Sequence, residues 1–214
     1  SSTLKDTDGK PLKHTMKNYA EFQRDLITTL VGEGRPVNIV AMSMGGVPAM
    51  MLAGKHPELV KNLVLVGTFL SLKDNPAIAK IKEIGNLKNN LGEAINIFIE
   101  SLRMTKDDAQ AAKKFFNLQI PPNQLLALYE SFMDLLFSAD ATDYAKRISA
   151  PTLIIAGTAD NLAPVGGMKK VKDTIRWSEM ITVNRGHKGV LGDAKEFNQT
   201  SVGAIVRHFF KQDF

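Results

Sequence analysis

Three residues in this chain have the types that acyl transfer needs: a serine, an acid and a histidine. The serine stands in Ala41-Met42-Ser43-Met44-Gly45-Gly46. An apolar run precedes it and a helical pattern follows. A serine on so tight a strand-to-helix turn needs small neighbours, and Ala41, Gly45 and Gly46 meet that need. The turn would lift the hydroxyl off the sheet and set the backbone N–H of Met44 beside it, at a helix N-terminus that favours developing negative charge. The pattern is G-x-S-x-G with Ala41 in place of the first glycine. A buried serine in an ordinary tight turn would leave the same trace, so the motif needs support from elsewhere.

Support comes from two later segments. Ala150-Pro151-Thr152-Leu153-Ile154-Ile155-Ala156-Gly157 is an apolar run that ends at a glycine, and Asp160 follows three residues on. That places an acid just past the carboxyl end of a strand, where open α/β sheets carry their sites. Taken alone, Asp160 is more often a turn former or helix cap. The third segment, Val183-Asn184-Arg185-Gly186-His187, ends a strand and presents a histidine on a glycine-hinged loop. Of the four histidines, His14 lies in a polar stretch, His56 ends the helix after Ser43, and His208 lies in the last helix. Only His187 has a loop position suited to a base. The order along the chain is nucleophile, acid, base.

These positions require a scaffold. Four short apolar runs read as buried parallel strands: Val37–Met42, Leu63–Val66, Thr152–Ala156 and Met180–Val183. Helical patterns cover Tyr19–Val31, Gly45–His56 and Ala194–Phe210. Strand alternating with helix predicts an α/β fold with a mostly parallel sheet. From about Leu72 to Arg147 the alternation stops, and helices are expected over Ala77–Ile84, Leu91–Arg103, Lys106–Phe116 and Asn123–Phe137. The expected organisation is therefore a core of residues 1–70 and 148–214 with a helical lid of residues 71–147.

Composition narrows the alternatives. The 214 residues are 44% hydrophobic and 23% charged, an ordinary globular balance. No apolar run approaches the roughly 20 residues that span a bilayer. With no cysteine, there are no disulfides, thiol nucleophiles or thiolate metal sites. The net charge of +5 is spread thinly: residues 1–70 carry 8 basic and 6 acidic groups, 71–147 carry 10 and 10, and 148–214 carry 9 and 6. A nucleic-acid binder concentrates such a surplus on one face, so no nucleic-acid partner is expected. Met44-Gly45-Gly46 also lacks the spaced glycines of a dinucleotide-binding turn. The polar start, Ser1–Lys17, has no export signal, which favours a cytoplasmic location.

The order Ser43, Asp160, His187, each after an expected strand, resembles the α/β-hydrolase superfamily, in particular its lidded esterase-like branch. The similarity covers nearly the whole chain, including the helical insertion and the run from Gly186-His187 to Asp193. The resemblance implies Ser43 as nucleophile, His187 as base and Asp160 as its orienting acid, with the Met44 N–H as half of an oxyanion hole. It also implies that Phe69, Leu70 and Leu162 line a pocket for a small or medium acyl substrate. It implies no cofactor and no metal. The expected reaction is hydrolysis of a carboxylic ester through an acyl-enzyme. A thioesterase with the same triad and a non-catalytic binding module are the alternatives.

One departure from the family's pattern stands out. Only 36 residues precede Val37, and they read as polar coil plus one helix. The resemblance implies that the family's first four strands are absent here, and with them the loop that supplies the second oxyanion N–H. Val37–Met42 would then be an exposed apolar edge, which invites pairing. Either an N-terminal part on a separate fragment or outside this sequence would cover it, or a second copy would, or the chain is a reduced relative that no longer catalyses. The intact triad positions favour the first of these.

Overall fold

Each apolar run forms a strand in the computed structural model, which describes residues 13–73, 130, 131, 133–187 and 201–212, with helical positions at 79, 83, 93 and 96. The strands are β1 (Val37–Met42), β2 (Val60–Val66), β3 (Thr152–Gly157) and β4 (Ser178–Val183). They lie side by side in chain order and all pairs are parallel. Helices connect or flank them: α1 (Met16–Val31), α2 (Gly46–Lys55), α3 (Thr142–Ala145), α4 (Val165–Thr174) and α5 (Ser201–Phe209). Short 3₁₀ turns cover Ser43–Gly45 and Pro57–Leu59. The superfamily's α/β architecture is thus present, with the sheet expected from sequence.

Two boundaries move for identifiable reasons. β2 starts at Val60, three residues before its apolar run, and takes in Lys61 and Asn62. Asn62 is buried and its side-chain amide donates to Asn38 Oδ1 across the sheet at 2.9 Å. A paired polar residue can occupy a buried strand, and hydrophobic periodicity does not reveal it. α1 starts at Met16 rather than Tyr19 because Thr15 caps it: Thr15 Oγ1 accepts the Asn18 N–H at 3.2 Å.

The sheet holds the core on both faces. Val64, Val66, Leu153 and Ile155 pack with Val202, Val206 and Phe209 of α5. Side chains alternate along a strand, so Leu63, Leu65 and Ile154 point to the opposite face, where they are fully buried. α2 packs on β1 and β2, and α4 on β3 and β4. The register sets Met42 beside Val66, Val66 beside Ile155 and Gly157 beside Val183. The carboxyl ends of all four strands therefore finish at one edge of the sheet.

The chain divides into two compact units, residues 20–71 with 140–214 and residues 1–19 with 72–139. The first contains the sheet. It also contains α3, which packs on α2, so residues 140–147 belong with the sheet, although the sequence reading places them in the insertion. In the second unit, Met133, Leu136 and Ala139 are buried, and Ser138 Oγ accepts the Met16 N–H at 2.9 Å. Positions 79, 83, 93, 96, 130, 131 and 133–137 are helical. The rest of the expected lid helices lie outside the described residues. Among the described residues no helix is long and apolar enough to cross a membrane.

Candidate active site

The turn after β1 fixes Ser43. Met42 is extended, and Ser43 then takes φ +52°, the only positive φ at a non-glycine residue among those described. A serine in this left-handed region costs about 1–3 kcal/mol and persists only where its surroundings impose it. Gly46 is one reason the turn closes. A Cβ there would sit 2.2 Å from Thr68 Oγ1 and 2.6 Å from Thr68 Cβ. A Cβ on Gly45 would meet nothing within 4 Å among the described atoms. The close approach that sequence shares among Ala41, Gly45 and Gly46 thus falls on Gly46, while Ala41 is buried in β1.

The loops after β3 and β4 are tied together. Thr158 N–H donates to Val183 O at 2.9 Å and Ala159 N–H to Arg185 O at 3.2 Å. Within this pair of loops stand Asp160 and His187. The Asp160 side chain is fully buried. Its Oδ1 accepts the N–H groups of Leu162 (2.8 Å) and Ala163 (2.9 Å), while its Oδ2 lies 2.8 Å from His187 Nδ1. One carboxylate therefore serves as turn former through one oxygen and as histidine partner through the other. The turn-forming bonds and the histidine contact therefore use different oxygens of the same side chain.

His187 completes the line. Its Nε2 lies 3.0 Å from Ser43 Oγ. An ionised carboxylate only accepts, so the Nδ1 proton points to Asp160 and Nε2 is left to accept from the serine hydroxyl. The other described histidines sit elsewhere: His14 Nδ1 is 3.4 Å from the Tyr19 hydroxyl, His56 lies beside Glu21 and Glu58, and His208 pairs with Gln212. The structure thus brings Ser43, His187 and Asp160 into a hydrogen-bonded row at the carboxyl edge of the sheet. Met44 follows Ser43 in the 3₁₀ turn. Phe69 and Leu70 follow β2 and are half-buried, as is Leu162 beside the acid.

Two residues at this edge escape the sequence reading. Gly67, φ +49°, ends β2 against the Asp160–His187 pair: a Cβ on it would lie 2.9 Å from Asp160 Oδ2 and 3.3 Å from His187 Nδ1. Thr68, fully buried, donates its hydroxyl to the Ser43 carbonyl at 2.7 Å. The signal available in the sequence was a glycine directly after the second apolar run.

Comparison with known proteins identifies the family and the fold. The family model for serine aminopeptidase, S33, matches residues 8–183. A pimeloyl-(acyl-carrier protein) methyl ester esterase from Wigglesworthia glossinidia brevipalpis is 30% identical over 182 residues, covering 78% of this chain and 67% of that protein. A pyrrolizixenacetamide deacetylase from Xenorhabdus hominickii is 25% identical over 167 residues, covering 76% of this chain and 62% of the deacetylase. This chain thus spans about two thirds of the length of these curated relatives. An α/β-hydrolase enzyme from a Medee basin deep-sea metagenome library shares the fold, with a TM-score of 0.64 at 20% identity over 96% of this chain and 76% of that one. By fold and by sequence, the chain belongs to the serine aminopeptidase S33 family of hydrolases, within the α/β-hydrolase superfamily.

Proposed function

We propose that the chain carries the acyl-transfer centre of a serine hydrolase that cleaves a carboxylic ester of a small or medium acyl group. The observation that carries this reading is the row Ser43 Oγ–His187 Nε2–Asp160 at 3.0 and 2.8 Å. In the proposed reaction Ser43 Oγ attacks the acyl carbonyl carbon as its proton passes to His187 Nε2. Asp160 holds the tautomer and stabilises the imidazolium. The tetrahedral oxyanion lies at the N-terminus of the turn, with the Met44 N–H as a donor. Collapse expels the alcohol, which takes the proton from His187 and leaves an ester on Ser43. Water, deprotonated by the same imidazole, then releases the acid. The steps need no metal or cofactor. The methyl ester esterase among the relatives supports an ester as substrate.

The test is steady-state hydrolysis of p-nitrophenyl esters of increasing acyl length by the chain and by Ser43→Ala and His187→Gln. Turnover that either substitution removes supports the reading. Equal release by all three proteins would refute it.

The β1 edge bears on partners. Among the described residues β1 pairs only with β2, and Val40 on it is 41% exposed. Phe22, Leu26 and Leu30 are exposed at successive turns of α1. An unpaired strand edge and an exposed apolar helix stripe each invite pairing. We propose that a strand-bearing segment outside this sequence covers both and brings the second oxyanion N–H. The greater length of the relatives supports this occupant.

A further inference from the structure

The Ser43 turn is strained, and its nearest polar support is the carboxyl end of β2. Thr68 Oγ1 lies 2.7 Å from Ser43 O, and Thr68 has no exposed surface. The Ser43 carbonyl also accepts the Gly46 N–H. The Thr68 backbone N–H points at the buried Met168 sulfur, at 3.1 Å. The missing Cβ of Gly46 makes room for the threonine side chain. Thr68 is thus held by its own backbone and by the close approach of Gly46, with its hydroxyl donating to the Ser43 carbonyl.

The residue before it touches the other half of the row. Gly67 N–H is fixed to Ile155 O at 3.1 Å, and Gly67 lies against Asp160 Oδ2 and His187 Nδ1. The dipeptide Gly67-Thr68 therefore abuts the acid and base through one residue and the nucleophile's carbonyl through the next. Neither residue reaches the reacting atoms, so any effect passes through Ser43, His187 and Asp160.

We infer that Thr68 is a positioning residue: its hydroxyl holds the Ser43 backbone in the left-handed conformation that sets Oγ on His187 Nε2. The inference rests on the hydrolase reading above. A buried hydroxyl–carbonyl bond is worth on the order of a tenfold change in an equilibrium. Without it, the Ser43 carbonyl is free to turn, and the hydroxyl spends less time in line with the imidazole. The placement of Oγ matters to attack and not to substrate binding, so where acylation limits turnover its loss lowers kcat and leaves KM in place.

The experiment measures the rate of Ser43 labelling by a fluorophosphonate, and ester kcat and KM, in the wild type and in Thr68→Ser, Thr68→Val and Thr68→Ala. Thermal melts accompany each variant. Thr68→Ser keeps the hydroxyl and is expected to label within about threefold of wild type. Thr68→Val keeps the shape without the donor and is expected to label about tenfold more slowly, with kcat reduced to match and KM unchanged. Thr68→Ala is expected to match Thr68→Val. Thr68→Val labelling as fast as the wild type would overturn the inference and leave the hydrolase reading standing. So would Thr68→Ser labelling as slowly as Thr68→Val, because packing and not the donor would then set the rate. Absence of label on wild-type Ser43 both without and with the segment proposed for the β1 edge would overturn both.

Discussion

Asp160 uses both carboxylate oxygens, and that division sets what a change there does. Oδ1 accepts two backbone N–H groups of its own loop, and Oδ2 accepts the His187 proton. In Asp160→Asn the side-chain oxygen can keep the two backbone donors, which turns the amide NH₂ toward His187 Nδ1. That nitrogen must then accept, so the proton moves to Nε2, and the imidazole can no longer take the serine's proton. The expected outcome is a loss in kcat on the order of 10³–10⁴, with little change in melting temperature. Asp160→Ala also strands the two N–H groups and is expected to lower the melting point. Kinetics and calorimetry on the two variants separate these effects. The three residues of the candidate site were legible in sequence because each is a reactive type just beyond an apolar run. Thr68 was not, because a threonine acting through a neighbour's carbonyl has no signature of type or spacing.

At the scale of elements, the helix entry after Ser43 depends on one glycine more than the other. A methyl on Gly46 meets Thr68 at its Cβ and its Oγ1, where no rotamer removes both contacts. Gly46→Ala is expected to destabilise the fold by about 1–3 kcal/mol, and to slow serine labelling by displacing Thr68. Gly45→Ala, with φ −64° and open space, is expected to be neutral or slightly stabilising. Denaturant unfolding of the pair is the check. The sequence motif treats the two glycines alike, since a pattern of small residues does not say which one is crowded. Strand positions were plain because buried parallel strands are continuous apolar runs. Their ends were less so, because Asn38 and Asn62 satisfy each other inside the sheet. The α1–α2 tie gives a pH prediction. Burial works to raise the Glu21 carboxyl, but the Lys55 hydrogen bond and charge, with Arg24 and His56, outweigh it and hold Glu21 below its usual 4.5. A depressed carboxylate stabilises above its unfolded value and loses that contribution as pH falls through the folded one. Glu21→Gln is therefore expected to flatten the stability profile below about pH 4.5, by at most about 1 kcal/mol for a pair this exposed.

At the scale of the whole molecule, the Ser43–His187–Asp160 row lies at the carboxyl ends of a sheet whose first strand, among the described residues, pairs on one side only. The segment proposed for that edge predicts that Val40→Lys on β1 weakens its binding while leaving the row itself unchanged. Titration of the chain with the strand-bearing segment, followed by ester turnover, is the check. Turnover that rises on addition, and less so in the variant, is expected. Self-association that Val40→Lys abolishes, with no response to the segment, would assign the edge to a second copy instead. Restored turnover is also where a missing oxyanion donor would show, since one such donor is worth about 10²–10³ in rate. Ser43 is proposed to be a nucleophile activated by His187. The most direct test of that role is the intact mass of the chain before and after a fluorophosphonate probe, with Ser43→Ala and His187→Gln beside it. The expected result is a single adduct on Ser43, absent from Ser43→Ala and strongly slowed in His187→Gln. A folded chain that takes no adduct, with or without the segment, or one labelled equally in all three proteins, would contradict it.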